Sequence, residues 1–508
     1  MEKIHFLIRN LSKPQLKLLR VYLQYFSVRK EPNTQLMKLA DILIVNGDEV
    51  PGVEECSRLI YGKMNYNGIQ KLKSRLQKKV ENLLLLDSGT EKREVGQDEL
   101  DRYGIVIRRK IALFQILLSK TGSSSLLRTE IDEIIRLSKK YENYSTLVEL
   151  LKFKKWMSGY RVGEKVIWEM NREILFYQQC NDALNKATDC YYLGVIRSDF
   201  TSKSDKRSFQ NFLRESIAGL NEDCKTTKSP IVAYYTKQLE IMYFESMGKV
   251  DSTREVCQEL LKIISGNKSV FRKTRVAIVY DYLASCDIRL DDFEEAISHA
   301  ILAQKNFIKN TVNYYAAIEH EFYARFYQSD MPNSQRLNQI LLRSVKKETG
   351  DFRFAKYLFY QANVLFVLGK HKEAHRLLNF KLQLSKDKQG WDLNIRILKI
   401  QTLIEMNRLD EASSQVASLI KHAERSFVAE ELKPREKLII RTLRMLDHEG
   451  FSGSRILSKI VQFSQLLSGN KNYNWEPLSS ELIPFEQWLS AHYKTGLKKS
   501  SGQNIFSR

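Results

Sequence analysis

The most constraining feature of this sequence is a helical spacing of apolar residues that continues through nearly the whole chain. Apolar positions recur every three to four residues, and the alternating pattern of a half-buried strand is not convincing anywhere. Helix breakers are scarce, with 22 Gly and 8 Pro in 508 residues. Sandwiches, barrels and disordered linkers need many more turn residues. The sequence therefore predicts an all-α protein.

Changes in composition divide the chain into four predicted parts. Residues 1–88 form a compact helical domain, and the polar, Gly-containing stretch 87–100 is its predicted boundary. Residues 101–470 alternate helical segments with short polar breaks, which is typical of antiparallel helical pairs. Residues 471–493 are predicted to cap the end of this region. Residues 494–508 have four basic and no acidic side chains, and are predicted to form a disordered basic tail.

A turn pattern that returns along the chain indicates internal repeats. In each copy a small or turn-forming residue ends one helix, and a small residue follows five places later. The copies cover 247–253, 290–296, 368–374 and 406–412. Their last residues are 43, 78 and 38 positions apart, so the middle step holds two units of 39 residues. A degenerate unit is predicted near 333–337.

This pattern resembles the tetratricopeptide repeat, a pair of antiparallel helices that stacks on its neighbours. The matching pairs are Gly369 with Ala374, Asn407 with Ala412, Asp291 with Ala296 and Gly248 with Thr253. The resemblance implies an α-solenoid that forms a right-handed superhelix, with a concave face that holds a partner peptide. The alternative is an irregular α-helical bundle whose turns are similar by coincidence.

Both ends of the chain carry a second resemblance. A helix opens at 11–13, the segment 58–62 reads Arg-Leu-Ile-Tyr-Gly, and the segment 484–489 reads Pro-Phe-Glu-Gln-Trp-Leu. Together these segments resemble a family of bacterial proteins of unassigned function with tetratricopeptide-like bodies. The resemblance implies a cytoplasmic helical-repeat protein and carries over no catalytic residue.

Cysteine usage and the lack of long apolar runs predict a cytoplasmic protein. The six cysteines form no CxxC pair and lie in helical patterns, which is typical of free thiols in a reducing compartment. They are Cys56, Cys180, Cys190, Cys224, Cys257 and Cys286. Arg9 and Asn10 interrupt the N-terminal apolar stretch, so a signal peptide is not predicted. No stretch approaches 18 apolar residues, so membrane insertion is not predicted either.

The basic balance of the chain favours partners with negative surfaces. Lys and Arg total 81 against 60 acidic residues, a net charge of +21. Such an excess is typical of proteins that contact nucleic acid, ribosomes, acidic proteins or anionic membranes. The basic residues are nevertheless spread along the chain among acidic ones, so the alternative is that most of them solvate helix faces.

The helix predicted over 69–86 is the most suggestive local feature. It is preceded by a short helix and a turn over 62–68, so the order resembles a helix-turn-helix or winged-helix domain with a recognition helix. The candidate nucleic-acid-binding residues are Arg58, Lys63, Lys71, Lys73, Arg75, Lys78 and Lys79. The alternative is an amphipathic helix whose outer face is merely soluble. The predicted turn is longer than a tight helix-turn-helix turn, and no strand pair follows for a wing.

The motifs of common enzyme chemistry are missing from the sequence. The phosphate-binding patterns GxxxxGK[ST] and GxGxxG do not occur, and neither does GxSxG. His371 and His375 are four residues apart but read HKEAH, which places Glu wrongly for a zinc peptidase. The sequence therefore predicts no catalytic residue, no metal site and no cofactor.

These observations favour a non-enzymatic scaffold or adaptor that binds a protein or peptide partner on the concave face of the repeats. The alternative is a transcriptional regulator in which the N-terminal domain binds DNA and the repeats sense or recruit a partner. An enzyme is the third hypothesis, and nothing in the motif search favours it. The sequence predicts no particular oligomeric state.

Overall fold

The computed structural model of the protein describes residues 1–25, 34–46, 49–86, 99–121, 125–159, 162–198, 203–345, 352–379, 390–426, 433–469 and 473–493. These residues form helices joined by short turns, and no strand occurs within the described ranges. The prediction of an all-α protein is therefore confirmed. The predicted tail 494–508 and nearly all of the predicted boundary 87–100 lie outside the described residues.

The chain divides into two compact units, Met1–Leu137 and Ser138–Arg508. The first unit contains α1 (Glu2–Arg9), α2 (Lys13–Tyr25), α3 (Thr34–Val45), α4 (Val53–Tyr61), α5 (Tyr66–Leu86), α6 (Glu99–Thr121) and most of α7 (Ser125–Lys140). The division into units at Leu137 differs from the boundary expected at 87–100, which stays a prediction.

The helices α1 to α5 share one apolar core. Its fully buried members include Ile4, Leu19, Leu39, Cys56 and Leu76, one from each of these five helices. The apolar stripe of α5 supplies five buried residues at helical spacing, namely Ile69, Leu72, Leu76, Val80 and Leu83. The 3.6-residue period of the sequence therefore decides which side of α5 is buried.

The second unit is a succession of helices, each packed against the helices before and after it. The helices are α8 (Tyr144–Ser158), α9 (Glu164–Arg197), α10 (Lys203–Thr227), α11 (Pro230–Met247), α12 (Val250–Gly266), α13 (Lys273–Arg289), α14 (Phe293–Asn306), α15 (Val312–Tyr327), α16 (Met331–Arg343), α17 (Phe352–Val367), α18 (His371–Leu378), α19 (Trp391–Glu405), α20 (Leu409–Ser426), α21 (Pro434–His448), α22 (Gly453–Gly469) and α23 (Phe485–His492). Helices two apart also touch, as α13 and α15 do, and α17 and α19. This order of contacts is that of a solenoid-like stack.

Five odd-numbered helices of this unit end in the same backbone turn. A residue one or two positions past the end of each helix has a positive φ, which is +70° at Gly248, +60° at Asp291, +62° at Ser329, +73° at Gly369 and +57° at Asn407. In every case the next N–H donates a 2.9 Å hydrogen bond to the carbonyl five residues earlier. This bond closes a Schellman motif, which satisfies the last carbonyls of the helix.

A small residue follows each of these turns and is buried where two helices meet. These residues are Thr253, Ala296, Ser334, Ala374 and Ala412, and none is more than 1% exposed. Ser329 and Ser334 form the turn of the unit that the sequence placed near 333–337. Ser334 lies 38 residues after Ala296 and 40 before Ala374. The resemblance to the tetratricopeptide family itself stays a prediction.

Candidate interaction surfaces

The odd-numbered helices α11 to α21 carry one set of linked side chains, which we call the odd-helix face. Each of these side chains contacts the preceding or the following odd-numbered helix, or the segment 473–493. The set consists of Glu245, Asp281, Arg289, Glu319, His320, Lys356, Tyr360, Trp391, Asn394, Glu405 and Arg435.

At the α11 to α15 end of this face, charged pairs join successive odd-numbered helices. Arg289 Nη1 on α13 lies 3.6 Å from Glu245 Oε1 on α11. His320 Nδ1 on α15 lies 2.7 Å from Asp281 Oδ1 on α13. Burial lowers the pKa of His320, but the charge and hydrogen bond of Asp281, with the charge of Glu319, outweigh it and the pKa is raised. The ring is therefore more readily protonated than a free histidine.

Glu319 is the centre of the next link, between α15 and α17. Its carboxylate pairs with Lys356 Nζ and accepts hydrogen bonds from the Tyr357 hydroxyl at 2.7 Å and the Tyr360 hydroxyl at 3.1 Å. The Tyr323 and Tyr360 hydroxyl oxygens lie 2.7 Å apart. Burial raises the pKa of both phenols, so they stay protonated and can act as donors. The polar groups of this link are thus satisfied by one another.

The C-terminal segment lies against the α15 to α21 end of the odd-helix face, and Arg435 is its main polar anchor. The Arg435 side chain, 8% exposed, makes two 2.7 Å hydrogen bonds to the Glu481 carboxylate and also pairs with Glu486. Arg435 Nη1 donates to the Tyr473 carbonyl at 2.6 Å. Burial lowers the pKa of Arg435, but the two carboxylates outweigh it and raise the pKa. The guanidinium is therefore held charged between two carboxylates.

Two further polar contacts fix this segment on α19. Asn394 Nδ2 donates to Ser480 Oγ at 2.8 Å. Glu405 Oε1 accepts from Trp488 Nε1 at 2.8 Å and lies 2.8 Å from His492 Nδ1. Burial raises the pKa of Glu405, but the hydrogen bond and charge of His492 and the Trp488 hydrogen bond lower it overall. The carboxylate is therefore stabilised in its charged form.

The segment also fills apolar space between the helices. Leu482, Ile483 and Phe485 pack in the same core as α15 to α21 and are at most 4% exposed. The Trp475 ring stands edge-on to Tyr327 of α15, with centroids 5.1 Å apart. The pocket left between segment and helices is about the size of one water molecule. A chain segment with apolar side chains and carboxylates is therefore closely accommodated here.

The turn before α5 differs from the sequence expectation. The helix was expected from Ile69 but begins at Tyr66, so only the four residues 62–65 separate it from α4. The reason is that Asn65 caps it: Gly68 N–H donates to Asn65 Oδ1 at 2.9 Å, and Ile69 N–H to the Asn65 carbonyl at 3.0 Å. The turn is therefore short enough for a helix-turn-helix, contrary to the expectation.

A buried hydroxyl and a left-handed glycine fix the shape of this turn. Ser57 Oγ, on α4, donates to the Lys63 carbonyl at 3.2 Å and accepts the Asn65 N–H at 2.7 Å. Ser57 itself is 0% exposed. Gly62 has a φ of +71° and its N–H donates to the Arg58 carbonyl at 2.9 Å. Ser57 and Gly62 therefore fix the course of the turn that joins α4 to α5.

The structure brings three of the seven predicted nucleic-acid contacts onto one exposed surface. Lys71, Arg75 and Lys78 lie four and three residues apart on the side of α5 opposite its buried stripe, and all three are exposed. We call them the basic face. Arg58, on α4, and Lys63, in the turn, are exposed as well.

Lys73 and Lys79 are not part of the basic face. Both are half-buried on the flanks of α5. Lys79 Nζ lies 4.6 Å from the centroid of the Tyr22 ring, a cation–π contact with α2. Lys73 lies close enough to the amino group of Met1 for its charge, together with burial, to lower the pKa of that group. These two lysines therefore contact the rest of the first unit.

The environments of the histidines and cysteines do not favour metal binding or thiol chemistry. His371, on α18, packs edge-on against Phe366 at 5.2 Å, and burial lowers the pKa of both His371 and His375. Burial raises the pKa of Cys180 to about 11 and of Cys286 to about 12, so these thiols are poor nucleophiles. Among the described residues, no three His, Cys, Asp or Glu side chains are grouped as metal ligands.

The helices in the described part of the chain include none that is both long and apolar enough to cross a membrane. No protein-family model matches this sequence, and a comparison with curated proteins finds no similar one. Function is therefore argued from the two surfaces alone.

Proposed function

We propose that this protein is a non-enzymatic scaffold or adaptor whose odd-helix face holds a segment of a partner protein. The main support for the proposal is the way in which the chain's own segment 473–493 packs against α15 to α21. Apolar side chains of that segment lie between helices, and two of its carboxylates pair with Arg435. The same chemistry is what a solenoid face needs in order to bind an extended peptide.

The α11 to α15 end of the face offers the surface for the partner. Its charged side chains are neither buried nor fully exposed, with 27% of Glu245, 22% of Asp281, 21% of His320 and 33% of Arg289 accessible. Half-exposed charges that are already oriented by neighbours lose little side-chain entropy when a partner binds. We therefore place the partner segment across α11, α13 and α15.

The chemistry of the face favours binding over catalysis. Each titratable side chain described above on this face is matched by an opposite charge or a hydrogen-bond donor. The two histidines contact Asp281 and Glu405, and the lysine contacts Glu319. Groups that satisfy one another in this way hold a surface in shape rather than activate a nucleophile or a base.

Site-specific photo-crosslinking in the full-length chain tests this proposal. A photoreactive phenylalanine analogue replaces Arg289 on the odd-helix face, and in a matched control it replaces Ser298, which is exposed on α14. We expect the Arg289 position to crosslink one defined protein in nuclease-treated cells, while the Ser298 position does not. Because the crosslink is covalent, mass spectrometry then locates it in the partner.

A second pair of variants shows whether charge at this face matters. Arg289→Glu leaves Glu245 beside a like charge, so we expect recovery of the crosslinked protein by the tagged chain to fall at least tenfold. Lys262→Glu makes the same charge change at an exposed position on α12 and should leave recovery unchanged. Equal crosslinking from both positions, or capture of nucleic acid alone, contradicts the proposal.

A further inference from the structure

We infer that the first unit binds double-stranded DNA through α4, the turn 62–65 and α5, with α5 in the major groove. This activity goes beyond the scaffold role and uses a different part of the chain. It rests on three observations: the shape of the turn, the unpaired charge of the basic face, and the side chains at the start of α5.

The local fold has the parts of a helix-turn-helix. The helices α3, α4 and α5 pack pairwise and share one core, to which Leu39, Cys56 and Leu76 contribute. The turn between α4 and α5 has four residues and begins with a left-handed glycine. Helix-turn-helix motifs join their two helices by a turn of about this length, which often contains Gly. The second helix then enters the major groove, as α5 does in this inference.

The basic face has the charge that such a helix needs. In the described part of the chain, Lys71, Arg75 and Lys78 form no ion pair with an acidic side chain. The sequence has no acid from Tyr66 to Val80. The first acid beyond, Glu81, accepts a 2.8 Å hydrogen bond from Gln77 and pairs with Lys3 of α1 at 3.1 Å. Three unpaired cations on one face attract phosphates, because binding releases the counterions of the duplex.

On several other helices, basic residues pair with acidic ones. Lys110 on α6 pairs with Glu133 at 2.9 Å, and Lys186 on α9 pairs with Asp223 at 2.8 Å. Lys225 pairs with Glu222 within α10 at 2.7 Å. On these helices solubility is achieved with mixed charges. The basic face of α5 differs because three exposed cations lie together on one side of the helix and none of them forms a close ion pair among the described residues.

The start of α5 supplies side chains that can read bases. Asn67 and Lys71 are exposed in its first two turns and project from the same side. The first turns of a recognition helix are the part that contacts base edges. An asparagine amide can bond to adenine and a lysine to guanine, so we assign base contacts to Asn67 and Lys71. Arg75 and Lys78, with Arg58 and Lys63, then contact phosphates.

Fluorescence anisotropy with the full-length chain tests the inference. The probe is a labelled 30-base-pair DNA duplex of mixed sequence, titrated at about 50 mM salt. The site variant is Lys71→Glu, Arg75→Glu, Lys78→Glu. The matched control is Lys262→Glu, Lys305→Glu, Lys421→Glu, which makes the same charge change at exposed positions on α12, α14 and α20. Circular dichroism confirms that both variants keep the helical content of the parent chain.

We expect the parent chain and the control to bind the duplex similarly, and the site variant to bind about 100-fold more weakly. The slope of log affinity against log salt should fall by about 2 in the site variant only, one for each of the phosphate contacts of Arg75 and Lys78. Three results overturn the inference: no binding by the parent chain at low salt, an equal loss in the control, or tighter binding to an RNA duplex of the same sequence. A failure here leaves the scaffold proposal untouched, because that proposal rests on the odd-helix face of the second unit.

Discussion

On α5, Lys71, Arg75 and Lys78 extend into solvent without acidic partners, whereas on the odd-helix face the cations contact carboxylates. Lys356 pairs with Glu319, and Arg435 is buried between Glu481 and Glu486. A paired and buried charge stabilises the fold that surrounds it, and an unpaired exposed charge is available to a partner. The cations that make up the net charge of +21 therefore have different roles in the two regions. Only a cluster of unpaired cations on one helix face, as on α5, favours a polyanionic partner.

The largest expected effect is at Arg435, where charge is structural. Arg435→Ala leaves two buried carboxylates facing each other, so we expect the free energy of unfolding of the second unit to fall by about 3–5 kcal/mol. Urea unfolding followed by tryptophan fluorescence measures this, because Trp475 and Trp488 lie in the affected segment.

The matched control for this variant is Arg441→Ala, at an exposed position of the same helix. Surface substitutions of this kind usually change stability by less than about 0.5 kcal/mol. If Arg435→Ala were as mild as Arg441→Ala, the charges of the odd-helix face would not be structural, and the contrast with α5 would be lost.

The second prediction concerns the small buried residues that follow the repeated turns and let two helices approach closely. Ala374→Leu adds three carbon atoms at a fully buried position, so we expect the free energy of unfolding to fall by about 1–3 kcal/mol. Ala218→Leu, at an exposed position of α10, serves as control. The thermal unfolding midpoint, followed by circular dichroism, measures both. Equal midpoints for the two variants would show that the small residue is not needed there.

The third prediction concerns the turn before α5. Ser57→Ala leaves the Asn65 N–H and the Lys63 carbonyl without their partner, which costs about 1–2 kcal/mol. The buried thiol of Cys56 reports on opening of the first unit, and its reaction with a thiol reagent should become about 5–30-fold faster. Ser74→Ala, exposed on α5, should leave the rate unchanged. An unchanged rate in Ser57→Ala would show that this hydroxyl does not hold the turn.

The smallest effect is a pH dependence on the odd-helix face. The pKa of His320 is raised in the folded state, so its pairing with Asp281 adds stability below about pH 6.5, the pKa of an unperturbed histidine. That contribution is lost as the pH rises through the raised folded pKa. Glu319 and Lys356 also act on His320 and do not reverse this direction.

We therefore expect His320→Gln to lower the unfolding midpoint more at pH 6 than at pH 9. His448→Gln, whose side chain is 85% exposed, should show no such difference. A larger loss at pH 9 for His320→Gln would mean that the neutral ring, rather than the charged pair, stabilises the face.

Local features of the sequence predict much of the fold. The buried stripe of α5 follows from residue spacing, and the turns at Gly369 and Asn407 follow from residue type, because glycine and asparagine tolerate a positive φ. Residue type does not indicate the turn at Ser329, because serine is not typical of a positive φ. The start of α5 is ambiguous for a similar reason, since Asn65 is typical both of a turn and of a helix cap.

Contacts between distant residues could not be predicted in this way. Arg435 meets Glu481 and Glu486, which lie 46 and 51 residues further along the chain. Glu142 accepts hydrogen bonds from Ser229 and Ser269, which are 87 and 127 residues away, both at 2.7 Å. Nothing in the spacing or composition near these residues indicates their partners. The packing of segment 473–493 against the odd-helix face therefore cannot be predicted from the sequence.

Lysine footprinting tests most directly whether the unpaired cations of the basic face are the ones that contact DNA. The full-length chain is acetylated at low salt with and without the DNA duplex, and the rate at each lysine is read by mass spectrometry. We predict that Lys71 and Lys78 react at least tenfold more slowly with the duplex present, while Lys262, Lys305 and Lys421 react as before. Equal slowing at all five lysines, or none at Lys71 and Lys78, would show that the basic face is not the surface that contacts DNA.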